Sequence, residues 1–263
     1  MASTEATPAG YDDRGTGAAT VLLHPFPLSR TTWAGIADAL AAHRRVITVD
    51  ARGFGDSPAS GPFTIADLAD DLAALLDRLA ISRATVLGMS MGGYAALAFA
   101  ARHRDRLSAL VLADTRAAAD SAETRAARAA ALATIDGAGP MAYLRGFLPR
   151  LLSPQAPPAR VAHVLARAET RAASLRAGIE ALRDRPDRTA ELGAIACPTL
   201  CVCGTEDQVT PAAEMKQIAG AISGARFVPI AEAGHLSHIE APGPFLHAVT
   251  SFLDTATEAR PSS

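Results

Sequence analysis

Six short apolar runs, separated by stretches with helical periodicity, constrain this chain more than any other feature of its sequence. They lie at 21–23, 45–49, 85–89, 109–113, 199–203 and 226–230. Each is continuous rather than alternating. A strand with one wet face alternates apolar and polar residues, so unbroken runs imply strands covered on both faces. Helical stretches at 31–42, 65–79, 91–103, 211–222 and 244–255 supply the covers. Thr64 opens the second of these as an N-cap, with Asp67 three residues on. The pattern predicts an α/β fold: a mostly parallel sheet with helices on both faces.

The alternation stops between Thr115 and Leu192, where no strand-like run occurs. Gly137 to Pro140, Ser153-Pro154 and Pro157-Pro158 break this stretch into three or four amphipathic helices. It reads as a helical cap, 115–192, inserted into a core made of 1–114 and 193–263. The whole chain, 1–263, is expected to be one domain. A cap over the carboxyl ends of the strands forms one wall of the crevice where open α/β sheets bind ligands. A solvated layer without function is the alternative.

Composition narrows the function classes. With 263 residues, 49% of them hydrophobic, the chain can bury a large core and is not of the disordered class. A net charge of −2 gives no electrostatic footprint for nucleic acid. No apolar run reaches the roughly 18 residues of a membrane helix. The first five residues, Met1 to Glu5, have neither a basic region nor an apolar centre, so no signal peptide is expected there. Cys197, Cys201 and Cys203 lie too close together, and are odd in number, for a disulfide framework. They read as small apolar side chains in a buried strand, and a cytoplasmic location is expected.

The third run ends in Gly88-Met-Ser90-Met-Gly92-Gly93, and a helix follows. This is G-x-S-x-G in strand–turn–helix context. Such a turn is too tight for side chains two residues either side of the serine. It holds Ser90 in a strained conformation at a helix N-terminus, where the N–H of Met91 can face a developing oxyanion. A serine nucleophile needs a base. His235, after Gly234 in the loop beyond the last strand, can swing over the same sheet edge. His238 reads as a neighbouring packing or hydrogen-bonding residue. His43, His103, His163 and His247 read as surface residues. The base in turn needs a carboxylate. Asp207 follows the fifth run and Asp114 ends the fourth; both are topologically possible, and Asp207 is favoured. The second oxyanion donor is assigned to the N–H of Phe26, since Pro25 and Pro27 have none. Asp50 to Ser57 superficially matches a dinucleotide loop but lacks its third glycine, so it reads as a structural turn with Arg52, Asp50 and Asp56 in a local network.

With those residues in hand the chain resembles a serine hydrolase of the α/β-hydrolase superfamily. The resemblance rests on H-P-F-P at His24–Pro27, D-x-R-G-x-G-x-S at Asp50–Ser57, G-M-S-M-G-G at Gly88–Gly93, G-T-E-D-x-V-T-P at Gly204–Pro211 and G-H-x-x-H-x-E-x-P at Gly234–Pro242. It covers almost the whole chain. Within the superfamily the compact size and helical cap are similar to small esterases, 3-oxoadipate enol-lactonases and cofactor-free haloperoxidases. Two departures stand out: His24-Pro25 replaces the usual H-G, and only about 20 residues precede Val21, where relatives open with two antiparallel strands. The resemblance implies a carboxylic ester hydrolase with Ser90, His235 and Asp207 as triad, Phe26 and Met91 as oxyanion donors, no cofactor and no metal. The substrate is a small ester or lactone, with no nucleic-acid or membrane partner. A lactonase, a perhydrolase and a hydrolase-fold ligand receptor with little turnover remain alternatives. The acyl pocket is expected to be apolar, lined by Phe26, Met89, Met91, Met141, Leu144, Phe147 and Leu148. For the cap residues among these, helix-to-core packing is an equal alternative.

Overall fold

In a computed structural model the structure describes residues 10–58 and 61–258. The Met1–Glu5 segment, read as lacking leader character, lies outside them. Among the described residues seven strands form one sheet: β1 (Tyr11–Arg14), β2 (Ala19–Leu23), β3 (Arg45–Val49), β4 (Ala84–Met89), β5 (Leu107–Ala113), β6 (Thr199–Gly204) and β7 (Arg226–Ile230). Their order is β1-β3-β2-β4-β5-β6-β7. All pairs are parallel except β1 with β3. The central strands β4 and β6 are buried along their whole length, as their unbroken apolar runs require. Cys201 and Cys203 lie buried in β6 as free thiols.

Strand β1 has no apolar run. Its Tyr-Asp-Asp-Arg sequence sits at the sheet edge, half-buried, and only pairing with β3 makes it a strand. It is one antiparallel opening strand. Charges along an edge also discourage pairing with other chains.

Among the described residues ten α-helices accompany the sheet. In the core these are α1 (Ala34–Ala41), α2 (Ile65–Arg78), α3 (Met91–Arg102), α8 (Ala212–Ala221), α9 (Ser237–Glu240) and α10 (Pro242–Glu258). The expected capping box of α2 is present: Asp67 N–H donates to Thr64 Oγ1, and Thr64 N–H donates to Asp67 Oδ2. Helices α4 (Ala122–Ala138), α5 (Pro140–Phe147), α6 (Pro158–Leu165) and α7 (Ala172–Arg183) form the cap between β5 and β6. The proposed breaks fall between them, although α4 runs through Gly137 and ends at Gly139. Among the described residues no helix is long and apolar enough to cross a membrane.

The topology decides where chemistry can occur. From β2 the chain crosses to β3 on one side, then returns to β4 on the other, so β2 and β4 are neighbours, with Leu23 opposite Gly88. The loops leaving their carboxyl ends diverge and open a crevice at this switch point. The loops after β5, β6 and β7 reach the same edge because all these strands are parallel.

Candidate active site

Ser90 occupies the turn between β4 and α3 with φ of 52° and ψ of −113°. That left-handed conformation is unusual for a residue with a side chain and stores of order 1–3 kcal/mol of strain. Its surroundings hold it there. Ser90 N–H donates to Ala113 O at 3.0 Å, and Ser90 O accepts from Tyr94 N at 3.0 Å and from Thr115 Oγ1 at 2.9 Å. The flanking glycines are a steric necessity. A Cβ on Gly88 would run into the carbonyl of Gly92, and one on Gly92 into that of Leu23. The turn at Ser90 is therefore pressed against the end of β2, with no space for larger residues.

Ser90 Oγ lies 2.8 Å from His235 Nε2, and His235 Nδ1 lies 2.8 Å from Asp207 Oδ2. All three residues are buried. Of the two carboxylates the sequence left open, the structure brings Asp207 to the histidine. Its Oδ1 accepts from Val209 N at 2.7 Å and Thr210 N at 2.9 Å; its Oδ2 accepts from Thr210 Oγ1 at 2.6 Å as well as from His235. With four donors aimed at it, the carboxylate cannot rotate. Thr210 also lies 3.1 Å from His235 Nδ1. It escaped the sequence reading, although the Thr-Pro of the Gly204–Pro211 motif marks its position.

Asp114 points elsewhere. It accepts from Gly204 N at 2.8 Å and from Ser237 Oγ at 2.5 Å, and so ties the end of β6 to the segment beyond His235. Asp114, Cys203 and Asp207 bring three potential metal-ligating atoms within 4.8 Å of one another. The oxygens of both carboxylates already accept hydrogen bonds from the chain, so the cluster is a hydrogen-bonded core.

The charges follow from this geometry. Burial disfavours the cation of His235, but the Asp207 charge and hydrogen bond outweigh it and raise the imidazole above its ordinary pKa. Burial likewise opposes ionisation of Asp207, yet the His235 charge and the hydrogen bonds hold it below the ordinary carboxylate value. Asp114, deeply buried and repelled by Asp207, is pushed up to about 7. Two carboxyls this close do not both ionise easily, and the one without a cationic partner keeps its proton longer.

The loop after β2 faces this turn. His24 Nε2 accepts from Ala51 N at 3.0 Å, so Nδ1 carries the proton and donates to Pro25 O at 3.0 Å. Pro25 O also accepts from Leu28 N at 2.9 Å. Burial lowers the pKa of His24 and keeps it neutral in this role. The carbonyl of the peptide leading to Phe26 is thus held by two donors. The Phe26 ring is buried, edge-on to Phe54 at 5.8 Å and 6.0 Å from Phe147 of the cap. Met91 begins α3, where the first N–H groups have no partner within the helix.

The other expected pocket residues divide. Leu144 and Leu148 are buried on the inner side of α5 and the 3-10 turn that follows it, and Phe147 is half-buried and stacked on Tyr143 at 5.3 Å. Met89 is buried at the end of β4. Met141 is 40% exposed, so α5 turns it towards solvent instead. A crevice of about 520 Å³ lies among α4, α5 and a few core residues, and its lining includes neither Ser90 nor His235. Tyr94, Tyr143, Phe147, Arg150, Gln208 and Val209 contribute to its lining, and the last two adjoin Asp207.

His238 is the packing residue expected of it: buried, 4.5 Å from the Trp33 ring and 2.8 Å from Thr32 Oγ1. Burial and the His235 charge push it down to about 3. His103 is half-buried beside Asp70 at 2.7 Å rather than free on the surface. The network expected around Arg52 is different. Arg52 pairs with Asp71 of α2 at 2.5 Å, while Asp50 and Asp56 are both taken by Arg30. Arg30 lies twenty residues before Asp50, and only the fold brings it there.

Comparison with known proteins concerns the chain as a whole. The family described as "alpha/beta hydrolase fold" matches residues 20–242. A 3-oxoadipate enol-lactonase of Acinetobacter baylyi is 34% identical over 214 residues, which are 79% of this chain and 78% of that one. A pimeloyl-[acyl-carrier protein] methyl ester esterase of Neisseria meningitidis is 34% identical over 232 residues, covering 84% and 88%. The structure of a thermophilic esterase from Thermogutta terrifontis superposes with a TM-score of 0.89 at 35% identity, covering 94% of this chain and 93% of that one.

Proposed function

We propose, from the premise that this chain belongs to the alpha/beta hydrolase fold family, that it is a carboxylic ester hydrolase acting through Ser90, His235 and Asp207. One observation carries the reading: the unbroken hydrogen-bond chain from Ser90 Oγ through the imidazole to Asp207, with 2.8 Å at each link. Relatives that are esterases and enol-lactonases support the class of bond attacked.

In this reading Ser90 Oγ attacks the ester carbonyl while its proton passes to His235 Nε2. Asp207 keeps the proton of His235 on Nδ1, so that Nε2 is free to accept, and it stabilises the imidazolium that forms. The carbonyl oxygen becomes an oxyanion between the N–H groups of Phe26 and Met91. The imidazolium then protonates the leaving alkoxide, and an acyl group remains on Ser90. Water enters, loses a proton to the same imidazole, attacks the acyl carbon and restores the serine. The sequence uses groups of the chain and water alone. The acid portion of the substrate lies towards Phe26 and Phe147. A lactone is the second reading, favoured by the enol-lactonase likeness: there the leaving alkoxide stays tethered to the acyl group.

The test is chemical. Ser90→Ala should lower turnover of an aryl acetate by about 10⁴-fold or more, because the members of a triad act as a unit. A fluorophosphonate should label Ser90 and no other serine, as read by peptide mass spectrometry. Turnover within tenfold of the parent, or labelling elsewhere, refutes the assignment.

A further inference from the structure

The motif around His235 includes Glu240, which the proposed reaction does not use. Its carboxylate is nevertheless fully engaged. Oε2 accepts from Gly234 N at 2.7 Å, the residue immediately before His235. Oε1 accepts from Ser153 N at 2.9 Å, in the cap just beyond the turn at 148–151. One carboxylate thus bridges the histidine loop and the cap, two segments far apart in sequence.

Independent contacts tighten the same seam. Leu236 N donates to Leu151 O at 3.0 Å, on the other side of His235. Arg160 of α6 donates to the Glu240 carbonyl at 3.0 Å. A Cβ on Gly234 would collide with the backbone of Leu152 and Ser153, so the two chains touch without an intervening side chain. The residues before and after His235 are therefore both bonded to cap backbone, one of them through Glu240. The imidazole itself is held by Asp207.

We propose that Glu240 is a positioning residue that registers the His235 loop against the cap, so that the two move as one body and His235 Nε2 stays in line with Ser90. The inference rests on the triad reading above. A cap locked to the histidine loop at Ser153 cannot lift there without dragging His235 from Ser90.

The test compares Glu240→Gln with the parent. The amide oxygen can accept from one of the two N–H groups, but its NH₂ then faces the other, donor against donor. Released from one anchor, the loop can shift by a fraction of an ångström. Displacements of about 1 Å at reacting groups cost on the order of 10²-fold in rate. The kcat for an aryl acetate should fall by at least about tenfold and towards 10²-fold, with KM within about threefold. A kcat within tenfold of the parent overturns the proposal, whatever happens to the melting temperature, since a merely structural strut would change only that. Amide exchange in the unaltered protein supplies a test that needs no variant. Held by one carboxylate, the Gly234 and Ser153 amides should open together and show protection factors equal within about tenfold. Protection of one without the other overturns the proposal. If the parent itself neither turns over esters nor labels at Ser90, the triad reading fails, and amide exchange still decides whether the strut exists.

Discussion

Asp207→Asn is the substitution for which the structure dictates a magnitude. The carboxylate accepts two backbone N–H groups on Oδ1 and two further donors on Oδ2. An asparagine of the same shape must place its oxygen towards one pair and its NH₂ towards the other. The Val209 and Thr210 N–H groups cannot become acceptors, so the oxygen must face them. The NH₂ therefore faces Thr210 Oγ1 and His235 Nδ1. The threonine hydroxyl can rotate and accept. The imidazole can accept only by moving its proton from Nδ1 to Nε2, and that proton then points at Ser90 Oγ, which can no longer give one up. The fold survives, and the base is in the wrong tautomer. This places the loss near 10⁴-fold in kcat, or about 5 kcal/mol of barrier. Steady-state hydrolysis of an aryl acetate at a pH where the parent is at its plateau measures it. Asp114→Asn is the control. Its oxygen can keep Gly204 N, and its NH₂ can donate to Ser237 Oγ, whose hydroxyl turns round. That variant should lose less than about tenfold. A tolerant Asp207 together with a sensitive Asp114 would show that the working acid ends β5, and would refute the assignment.

Two further outcomes follow from the same geometry. Because Asp207 raises the pKa of His235, kcat/KM should climb with pH to a plateau, with its midpoint above the ordinary imidazole value of about 6.5. The stability trend runs the other way: the protonated His235–Asp207 pair contributes fully below the unfolded pKa, and that contribution is lost as pH rises through the folded one. A flat rate profile between acid and alkaline pH, or melting temperatures without that fall, would count against a histidine base paired with Asp207. Phe147→Ala removes a ring 6.0 Å from Phe26; if it bounds the acyl site, octanoate should gain on acetate by about 10–200-fold. A lowered melting temperature with an unchanged acyl-length profile would assign Phe147 to packing alone.

The core strands β2 to β6 were legible because burial on both faces demands unbroken apolar runs, a property local to each segment; β7 was legible from its apolar run too, but as an edge strand with only Ile230 buried it is not covered on both faces as that run was expected to be. The turn at Ser90 was legible through its two glycines: Gly88 must clear the Gly92 carbonyl four residues on, although the demand on Gly92 comes from Leu23 at the end of β2. The cap showed itself as a break in the alternation. Strand β1 did not, because an edge strand is made by its partner β3 and not by its own Tyr-Asp-Asp-Arg composition.

What the sequence by itself determined is the set of groups and the edge at which they gather. Parallel strands send all their carboxyl-end loops to one side, so Ser90, Asp114, Asp207 and His235 had to meet there. Which carboxylate serves the histidine was decided only by tertiary structure. Val209, Thr210 and His235 turn Asp207 one way, and Gly204 and Ser237 turn Asp114 another. The partners of Arg30, the buried role of His24 and the Glu240 bridge to Ser153 belong to the same class. Hydrogen bonds and ion pairs act over about 3 Å, and residues up to 206 positions apart in the chain come within that distance only when the whole sheet and its cap are assembled.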